Sequence, residues 1–355
     1  MEKEIEIKSF GSIQGNAIYE YTLSNENGMR VSFLNYGGTV TKIMTLDKNG
    51  VLGNVILGLD CLDDYLQPTN PFLGSLIGRY ANRIGGARFT LNDCIYKLNA
   101  NDHENTLHGG IKGFDKVIWE AQILPGENAV CLQYISEDGE EGFPGKLHTQ
   151  VKYTLTQDNA FVIEYLATTN APTPVCLTSH AYFNLSAGEQ DTILNHELCL
   201  HANQFIPVNE KAIPTGKIID VQNTPMDFTS PKLIGTTINN VKGGYDHSWV
   251  LNKNKQAFYK NNQALVLAAE VNDAASGRFL SMYTTEPAVQ MYTGNYLDGS
   301  FAAQNGKWIF KKQGALCLEA QHYPDSPNQP HFPNTILHPG ETYAQTTVYQ
   351  FSVKP

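Results

Sequence analysis

Alternation of apolar and polar residues is the dominant pattern along this chain. Apolar side chains occupy every second position in 151–155 and 161–167, and Gln157-Asp158-Asn159 between them has the composition of a turn. The same pattern predicts a second hairpin over 89–98, with its turn at Asn92-Asp93, and further strands over 194–200 and 343–351. Because successive side chains of a strand point to opposite faces, this alternation indicates strands with one buried face.

Helical patterns, by contrast, are weak. The segment 59–66 predicts one or two helical turns, with Asp60 as the cap and Pro68 beyond the end. No segment keeps the spacing i, i+3, i+4, i+7 over three turns, and 30 Gly and 17 Pro separate the short apolar runs. We therefore predict an all-β fold, a large antiparallel β-sandwich in which residues 1–355 form a single domain.

Charge and apolar content narrow the possible partners. The chain has 25 Lys and Arg against 35 Asp and Glu, a net charge of −10, and no basic cluster. This balance disfavours binding to nucleic acid or to an anionic membrane surface. Residues 1–8 lack the apolar region of a signal peptide, and no apolar run approaches the roughly 18 residues of a membrane span. We expect a cytoplasmic protein, a monomer or homodimer, without membrane or nucleic-acid partners.

The cysteines favour the same compartment. None of the six forms a C-x-x-C pair, and most lie in apolar stretches. Buried free thiols in a reducing environment are the expected state. They are Cys61, Cys94, Cys131, Cys176, Cys199 and Cys317.

Two ionisable residues far apart in the sequence give the strongest indication of chemistry. Glu319 directly follows the apolar run 315–318, so a strand there cannot place both Leu318 and Glu319 in water. A carboxylate in such surroundings is either paired or has a raised pKa. His180 lies in the uncharged run 174–183, where burial tunes the pKa of an imidazole. A carboxylate base and an imidazole acid can together move protons on and off a neutral polyol.

Other polar motifs have both a functional and a structural interpretation. Asn82-Arg83 precedes Ile84-Gly85-Gly86, which suits a turn that presents a multi-donor side chain, although Arg79 and Arg83 could equally be solvated cations. His108 stands before Gly109-Gly110, and a single histidine is often a hydrogen-bonded structural residue. Asp246 follows Gly243-Gly244 and has the position of a turn residue.

Several reaction classes lack their sequence signatures. No H-E-x-x-H, C-x-x-C or H-x-H spacing predicts a metal site, although three dispersed ligands could still converge. The phosphate-binding loop G-x-x-x-x-G-K-[ST] and the nucleophile motif G-x-S-x-G do not occur either. We expect neither a metal nor a cofactor.

Six motifs in order along the chain resemble those of the aldose 1-epimerase (galactose mutarotase) family. They cover nearly the whole sequence from about residue 30 onwards, and agreement of all six by chance is implausible. The family fold is a large β-sandwich, the galactose mutarotase-like supersandwich, in agreement with the alternation. The motifs are GRYANRI (78–84), NTLHGG (105–110) with GFDK (113–116), LTSHAYFNL (177–185), GGYDH (243–247), VQMYTGN (289–295) and CLEAQ (317–321) before YPD (323–325).

The resemblance implies a role for each matched residue. Glu319 corresponds to the general base that deprotonates the anomeric hydroxyl, and His180 to the general acid that protonates the ring oxygen. The remaining matched positions lie near the sugar or hydrogen-bond its hydroxyls, and they are Asn82, Arg83, His108, Tyr182, Asp246 and Gln290. The implied reaction interconverts the α and β anomers of free aldohexoses such as galactose and glucose by ring opening and reclosure.

Three alternatives remain at this point. A glycoside hydrolase could use Asp246 and Glu319 as a carboxylate pair, although the prominent His180 favours the epimerase. A hexose-6-phosphate 1-epimerase would need additional cations, which Arg79 and Arg83 could supply. A non-catalytic carbohydrate-binding module would suit an aromatic β-sandwich but would not need an acid–base pair.

Overall fold

Strands dominate the structure, a computed structural model that describes residues 5–253, 256–260 and 263–354. The predicted all-β fold with antiparallel sheets is confirmed, since every pair of strands in this part of the chain is antiparallel. Residues 1–4, part of the segment 1–8 considered above, lie outside the described residues. No helix in the described part is long and apolar enough to cross a membrane.

The described residues form 31 strands, numbered β1 to β31 in chain order. The first sixteen are Glu6–Ile13, Asn16–Ser24, Arg30–Leu34, Val40–Leu46, Leu52–Asn54, Leu76–Ile77, Arg83–Ile84, Arg88–Leu91, Cys94–Lys97, Thr106–Leu107, Glu120–Ile123, Ala129–Ser136, Leu147–Leu155, Ala160–Thr169, Thr173–Pro174 and Thr178–Ser179. The others are Tyr182–Phe183, Glu197–Leu200, Gln204–Ile206, Ile219–Asp220, Lys232–Leu233, Asp246–Val250, Gln256–Lys260, Gln263–Asn272, Arg278–Thr284, Ala288–Tyr292, Ala302–Ala303, Trp308–Ile309, Leu316–Gln321, Ile336–Leu337 and Tyr343–Val353.

Helices are few and short within the same residues. The α-helix α1 spans Leu62–Tyr65. Six 3₁₀-helices accompany it, at Gly85–Ala87, Phe114–Lys116, Glu140–Gly142, Ile234–Thr236, Ile238–Asn240 and Ser326–Asn328.

Three sheets contain most of the strands. The first has the order β1-β2-β3-β4-β5. The largest has the order β11-β12-β13-β14-β31-β25-β24-β18-β21, with β23 paired to β24. The third has the order β17-β29-β26-β22-β19-β20 and contains Glu319 in β29. The third sheet therefore brings together strands from distant parts of the sequence.

Both predicted hairpins are confirmed, β13–β14 with its turn at 156–159 and β8–β9 with its turn at 92–93. The predicted strand 343–351 is β31, whereas only 197–200 of the predicted segment 194–200 is a strand. The predicted helix is a single turn, and the Asp60 cap is wrong. Cys61 is the N-cap residue, and the Asp60 carboxylate instead accepts a hydrogen bond from the backbone N–H of Asn305 at 3.0 Å.

All six cysteines are free thiols, as predicted, but their expected burial is only partly correct. Cys176, Cys199 and Cys317 are buried, and Cys131 is half-buried. Cys61 and Cys94 are exposed, because one starts a surface helix and the other adjoins the tight turn of a hairpin.

The largest and the third sheets pack face to face through aromatic side chains. Phe183 of β17 contacts Tyr349 of β31 with ring centroids 5.1 Å apart. The Tyr349 hydroxyl donates a hydrogen bond to the carbonyl oxygen of Leu318 at 2.8 Å. Leu316, Leu318 and Ala320 of β29 belong to the main apolar core. The side chains of Cys317 and Glu319 therefore point to the opposite face of the sheet.

We predict that Leu318→Ala lowers the free energy of unfolding by about 2–5 kcal/mol, because it leaves a cavity in this core. Leu166→Ala is the matched control, since Leu166 is 44% exposed whereas Leu318 is fully buried. The control should change stability by no more than about 0.5 kcal/mol. Urea unfolding followed by circular dichroism measures both, and equal losses in the two variants would contradict the packing described here.

Candidate active site

A small cavity opens on the face of the third sheet that does not pack on the core. Its volume is about 140 Å³, well below the roughly 300–1,000 Å³ of pockets for drug-sized ligands. Larger grooves of about 730, 600 and 520 Å³ lie elsewhere but are lined by other residues. The small cavity is of greater interest because its wall combines ionisable and aromatic side chains. Its lining residues are Pro71, Phe72, Asn82, Arg83, Leu107, His108, His180, Tyr182, Asp246, Tyr292, Tyr296 and Glu319.

Strand register explains how this wall is assembled. Gln290 of β26 pairs with Glu319 of β29, and Tyr292 of β26 pairs with both Cys317 and Asp246 on the flanking strands. Because side chains two residues apart share a face, Glu319, Gln290, Tyr292 and Asp246 all project from the same side of the sheet. His180 joins them from the connection between β16 and β17.

Glu319 and His180 face each other in this cavity. The Nε2 atom of His180 lies 3.7 Å from Oε1 of Glu319, and the two side chains are 6% and 2% exposed. Oε2 of Glu319 and Nδ1 of His180 have no hydrogen-bond partner among the described residues. Since buried polar atoms in proteins are nearly always hydrogen-bonded, these unpaired atoms mark a place where a polar ligand can bind.

Burial changes the proton affinity of both groups. Loss of solvent raises the pKa of Glu319 well above its usual value, and the nearby Asp246 carboxylate adds to this effect while Arg83 opposes it. Loss of solvent also lowers the pKa of His180 to about 4. The empty site therefore favours an uncharged carboxyl group beside an uncharged imidazole.

Tyr182 fixes the orientation of the His180 ring. The two rings stack with centroids 4.9 Å apart and an interplanar angle of 21°. The Tyr182 hydroxyl donates a hydrogen bond to the carbonyl oxygen of Pro71 at 2.8 Å, so the phenol is itself held in place. Tyr182 therefore contributes its ring to the cavity wall.

His108 presents a hydrogen-bond donor to the cavity. Its Nδ1 atom accepts a hydrogen bond from the backbone N–H of Asn82 at 3.2 Å, so the proton of the neutral ring is on Nε2. Burial keeps the ring neutral, because it lowers the pKa of His108 well below its usual value. Asn82 and His108 have φ values of 64° and 54°, a left-handed conformation that Asn and His adopt more readily than most residues.

Arg83 is held at the cavity wall by two acidic residues. Its Nε atom donates a hydrogen bond to Asp102 at 2.7 Å. Its carbonyl oxygen accepts a hydrogen bond from the backbone N–H of Asp325 at 2.9 Å, and the Asp325 carboxylate accepts one from Gly85. The YPD segment after the Glu319 strand therefore attaches the Arg83 turn to that strand.

Asp246 lines the cavity, whereas Gln290 does not. The Gln290 side-chain amide donates a hydrogen bond to the Asp246 carboxylate at 2.7 Å. Gln290 is not among the lining residues, so its contact with substrate stays a prediction, and its observed contact orients Asp246. The structure thus brings seven of the eight predicted site residues to one cavity wall and places the eighth, Gln290, in contact with one of them.

Sequence reasoning missed several lining residues. Tyr292 could have been found, because it is two residues from Gln290 in the same strand. Phe72 and the exposed Tyr296 lie in connections without a periodic pattern, and no sequence signal identifies them. Arg79, which had no assigned role, is buried and donates hydrogen bonds to the carbonyl oxygens of Ser136, Glu137, Pro144 and Gly145.

A comparison with known families accounts for this arrangement. Residues 19–350 match the family model described as aldose 1-epimerase. The chain belongs to the aldose 1-epimerase family. A Bos taurus protein named galactose mutarotase is 43% identical over 326 residues, which cover 92% of each chain. An Escherichia coli protein named aldose 1-epimerase is 38% identical over 338 residues, which cover 93% of this chain and 94% of that protein.

Solved structures of aldose epimerases have the same fold. A homologue from C. elegans superimposes with a TM-score of 0.84 at 29% identity, covering 95% of this chain and 99% of that one. A galactose 1-epimerase from Lactobacillus acidophilus superimposes with a TM-score of 0.83 at 26% identity, covering 99% of both chains. These matches extend over the whole sandwich and the cavity.

Three possible metal ligands meet in the cavity of this family member. One ligand atom from each of His108, His180 and Glu319 lies within 4.8 Å of the others. The Asn82 N–H group opposes a metal, because it directs the Nδ1 lone pair of His108 towards itself and leaves a proton on Nε2. Binding through Nε2 would require the other tautomer, in which two N–H groups would face each other.

We predict that this trio binds no metal tightly. The measurement is a Co²⁺ titration of chelator-dialysed protein, followed by visible absorption and compared with His180→Asn. The comparison is needed because Cys199, His201 and Glu270 also bring three possible ligands together elsewhere. Identical titrations are expected from both proteins, and a Co²⁺ spectrum lost only in His180→Asn would contradict the prediction.

Proposed function

We propose that this protein is a mutarotase, which interconverts the α and β anomers of free aldohexoses such as galactose and glucose. The observation that carries the proposal is the pair of Glu319 and His180, 3.7 Å apart beside a cavity of about 140 Å³. A cavity of this size suits one small polar molecule rather than a longer chain. The relatives named galactose mutarotase and aldose 1-epimerase support the same conclusion.

The reaction needs two proton transfers on the same sugar. Glu319 as a carboxylate removes the proton of the C1 hydroxyl, while His180 as an imidazolium protonates the ring oxygen. The C1–ring oxygen bond breaks and an open aldehyde forms. Rotation about C1–C2 and reversal of both transfers then close the ring on the other face. No electrons are exchanged and no group leaves, so the proton count of the pair stays at one throughout.

The pKa shifts of the pair favour ring opening. A raised pKa makes the Glu319 carboxylate a stronger base, and a lowered pKa makes the His180 imidazolium a stronger acid. Both shifts arise from burial, and both favour a protonated Glu319 beside a neutral His180. This is the proton arrangement that accompanies the open aldehyde. The dry cavity therefore offsets part of the free energy required to open the ring.

The other site residues orient the sugar in this proposal. The His108 Nε2–H and the Arg83 guanidinium offer donors, and the Asp246 carboxylate offers acceptors, to the ring hydroxyls. Asn82 lies beside them and fixes the His108 tautomer. In the same proposal, Tyr182 forms part of the cavity wall against the His180 ring, and Gln290 orients Asp246 through a hydrogen bond.

Charge pairing at the site favours free sugars over 6-phosphates. Arg83 is paired with Asp102, and Lys116, whose ammonium lies 5.2 Å from the ring centroid of the lining Phe72, is paired with Asp115. Arg79 is bound to backbone carbonyl oxygens. A phosphate would have to compete with these partners, whereas neutral hydroxyls can share them. A binding module without catalysis would gain nothing from an acid–base pair with unpaired polar atoms.

The proposal extends to the whole chain. Lining residues come from 71 to 319, so we propose that residues 1–355 act as one catalytic unit, as a monomer or homodimer. The sequence-based expectation of a cytoplasmic protein without cofactor, membrane or nucleic-acid partner is part of the same proposal.

We predict that the protein accelerates the change in optical rotation of freshly dissolved α-galactose and α-glucose. Glu319→Gln and His180→Asn should each lower kcat by about 10²–10⁴-fold, because each removes one acid–base group. Polarimetry measures the rates, and circular dichroism establishes that both variants are folded. Methyl glycosides, which have no free C1 hydroxyl, should remain unchanged, and the protein should not accelerate the spontaneous mutarotation of hexose 6-phosphates.

Other results would point to other functions. Release of reducing sugar from the methyl glycoside would indicate a hydrolase. Faster conversion of the 6-phosphate than of the free sugar would indicate the phosphate epimerase. Sugar binding without any change in the rate of mutarotation would leave only the binding module.

We also predict a plateau in the pH profile of kcat/KM. Below the pKa of His180, about 4, the pair takes up a second proton, both groups are protonated and no base remains, so activity should rise as pH increases through this region. Above the raised pKa of Glu319 the pair loses its last proton and activity should fall. These are properties of the pair, because the two groups share one proton. An alkaline limb that is unchanged in Glu319→Gln would contradict this assignment.

A further inference from the structure

A second buried pair of histidine and glutamate lies outside the cavity. Nδ1 of His322 is 2.6 Å from Oε2 of Glu286, and the two side chains are 15% and 1% exposed. His322 follows β29, and Glu286 lies between β25 and β26. Neither residue lines the cavity, so the proposed reaction gives them no role.

Further contacts join this pair to the segment that leads to His180. Oε1 of Glu286 accepts a hydrogen bond from the Tyr343 hydroxyl at 3.0 Å, and that hydroxyl accepts one from the backbone N–H of Leu177 at 3.1 Å. The backbone N–H of His322 donates to the Cys176 thiol at 3.4 Å. The pair is therefore linked to Leu177 through Tyr343, and to Cys176 through the backbone of His322.

The same segment is bound to the turn that contains Asn82 and Arg83. The Ala81 N–H donates to the Cys176 carbonyl oxygen at 2.8 Å, and the Cys176 N–H donates to the Arg79 carbonyl oxygen at 3.1 Å. Three site segments therefore meet around Cys176. They are the end of the Glu319 strand, the segment before His180 and the Arg83 turn.

Electrostatics indicates that the pair is held by charge. Burial lowers the pKa of His322, but the adjacent Glu286 carboxylate raises it further, and the net pKa lies above the usual value. At a separation of 2.6 Å, the attraction between the Glu286 carboxylate and a protonated His322 is the main contact of the pair. Buried ion pairs commonly stabilise a fold no better than apolar residues of the same size. Such a pair can instead fix the relative positions of the segments that it joins.

We propose that Glu286 and His322 are positioning residues that set the separation of His180 and Glu319. His322 is three residues from Glu319 in the chain, and Leu177, which the pair holds through Tyr343, is three residues from His180. A shift of the pair moves the acid and the base relative to each other. This inference rests on the proposed function for its kinetic consequence but not for its structural one.

The kinetic test uses Glu286→Gln, His322→Asn and Tyr343→Phe. Glu286→Gln keeps the size and the acceptor for Tyr343 but removes the charge, whereas Tyr343→Phe keeps the ion pair but releases Leu177. We expect kcat to fall by about 10- to 100-fold in each variant with little change in KM, because a displacement near 1 Å has an effect of this size. The double variant Glu286→Gln/His322→Asn should lose no more than the larger single loss.

The matched control is another histidine–glutamate pair in the same protein. Nε2 of His201 lies 3.1 Å from Oε2 of Glu270 on β24, and neither residue lines the cavity. Glu270→Gln should keep the kcat of the unaltered protein. A loss of kcat in the control as large as that in Glu286→Gln would make the effect a general result of lowered stability and would overturn the proposal.

Two measurements do not depend on turnover. The imidazole titration of His322, followed by NMR, should lie above its usual pKa in the unaltered protein and below it in Glu286→Gln, where burial alone acts. A crystal structure of Glu286→Gln should show a changed distance between His180 Nε2 and Glu319 Oε1. A distance still at 3.7 Å, or a full kcat in the folded variants, refutes the positioning role. If the unaltered protein does not turn over sugar, the proposed function fails while the structural test still applies.

Discussion

The site depends on the burial of one carboxyl group in the middle of a strand. Leu316, Leu318 and Ala320 on one face of β29 are in the main core, so the strand cannot rotate to expose Glu319 without exposing them. The strand also has neighbours on both edges, β17 and β26, which fix its register. Core packing thus holds an ionisable side chain in a dry cavity, although burial of that side chain does not itself stabilise the fold.

Unpaired polar atoms in the cavity have a free-energy cost that the rest of the fold must offset. Glu319 Oε2 and His180 Nδ1 lack partners among the described residues, and each such atom costs about 1–3 kcal/mol. The core that joins the largest and the third sheets provides the compensation. Substrate hydroxyls can form hydrogen bonds with some of these atoms, so substrate binding regains part of the free energy that was lost when folding buried them. The same cost is the source of the altered pKa values of Glu319 and His180.

Sequence alternation predicted the hairpins, the all-β class and the burial of Glu319, because a two-residue period decides which face of a strand a side chain takes. The motifs predicted seven residues that line one cavity wall, since motif residues at strand ends converge on the same face of a sheet. The sequence could not show that Gln290 hydrogen-bonds with Asp246, because that depends on the distance between strands. Phe72 and Tyr296 were also beyond prediction, since connections have no period. The exposed Cys61 and Cys94 show that an apolar neighbourhood in sequence does not establish burial at a helix start or beside a turn.

Two histidine–glutamate pairs near the same strand show how geometry distinguishes a structural pair from an acid–base pair. His322 lies 2.6 Å from Glu286, whose second oxygen is bound by Tyr343, and although burial lowers the pKa of His322, the Glu286 carboxylate raises it above its usual value. His180 stands 3.7 Å from a carboxyl group that lacks a second partner, so burial dominates and the pKa of His180 falls to about 4. A distance greater by about one ångström, together with one missing hydrogen bond, leaves the second pair uncharged and free to exchange protons with a ligand. The Glu286–His322 pair does not line the cavity, and its second carboxylate oxygen is bound by Tyr343, so it is not placed to exchange protons with a substrate. The Glu319–His180 pair lines the cavity and has unpaired atoms that a substrate can reach.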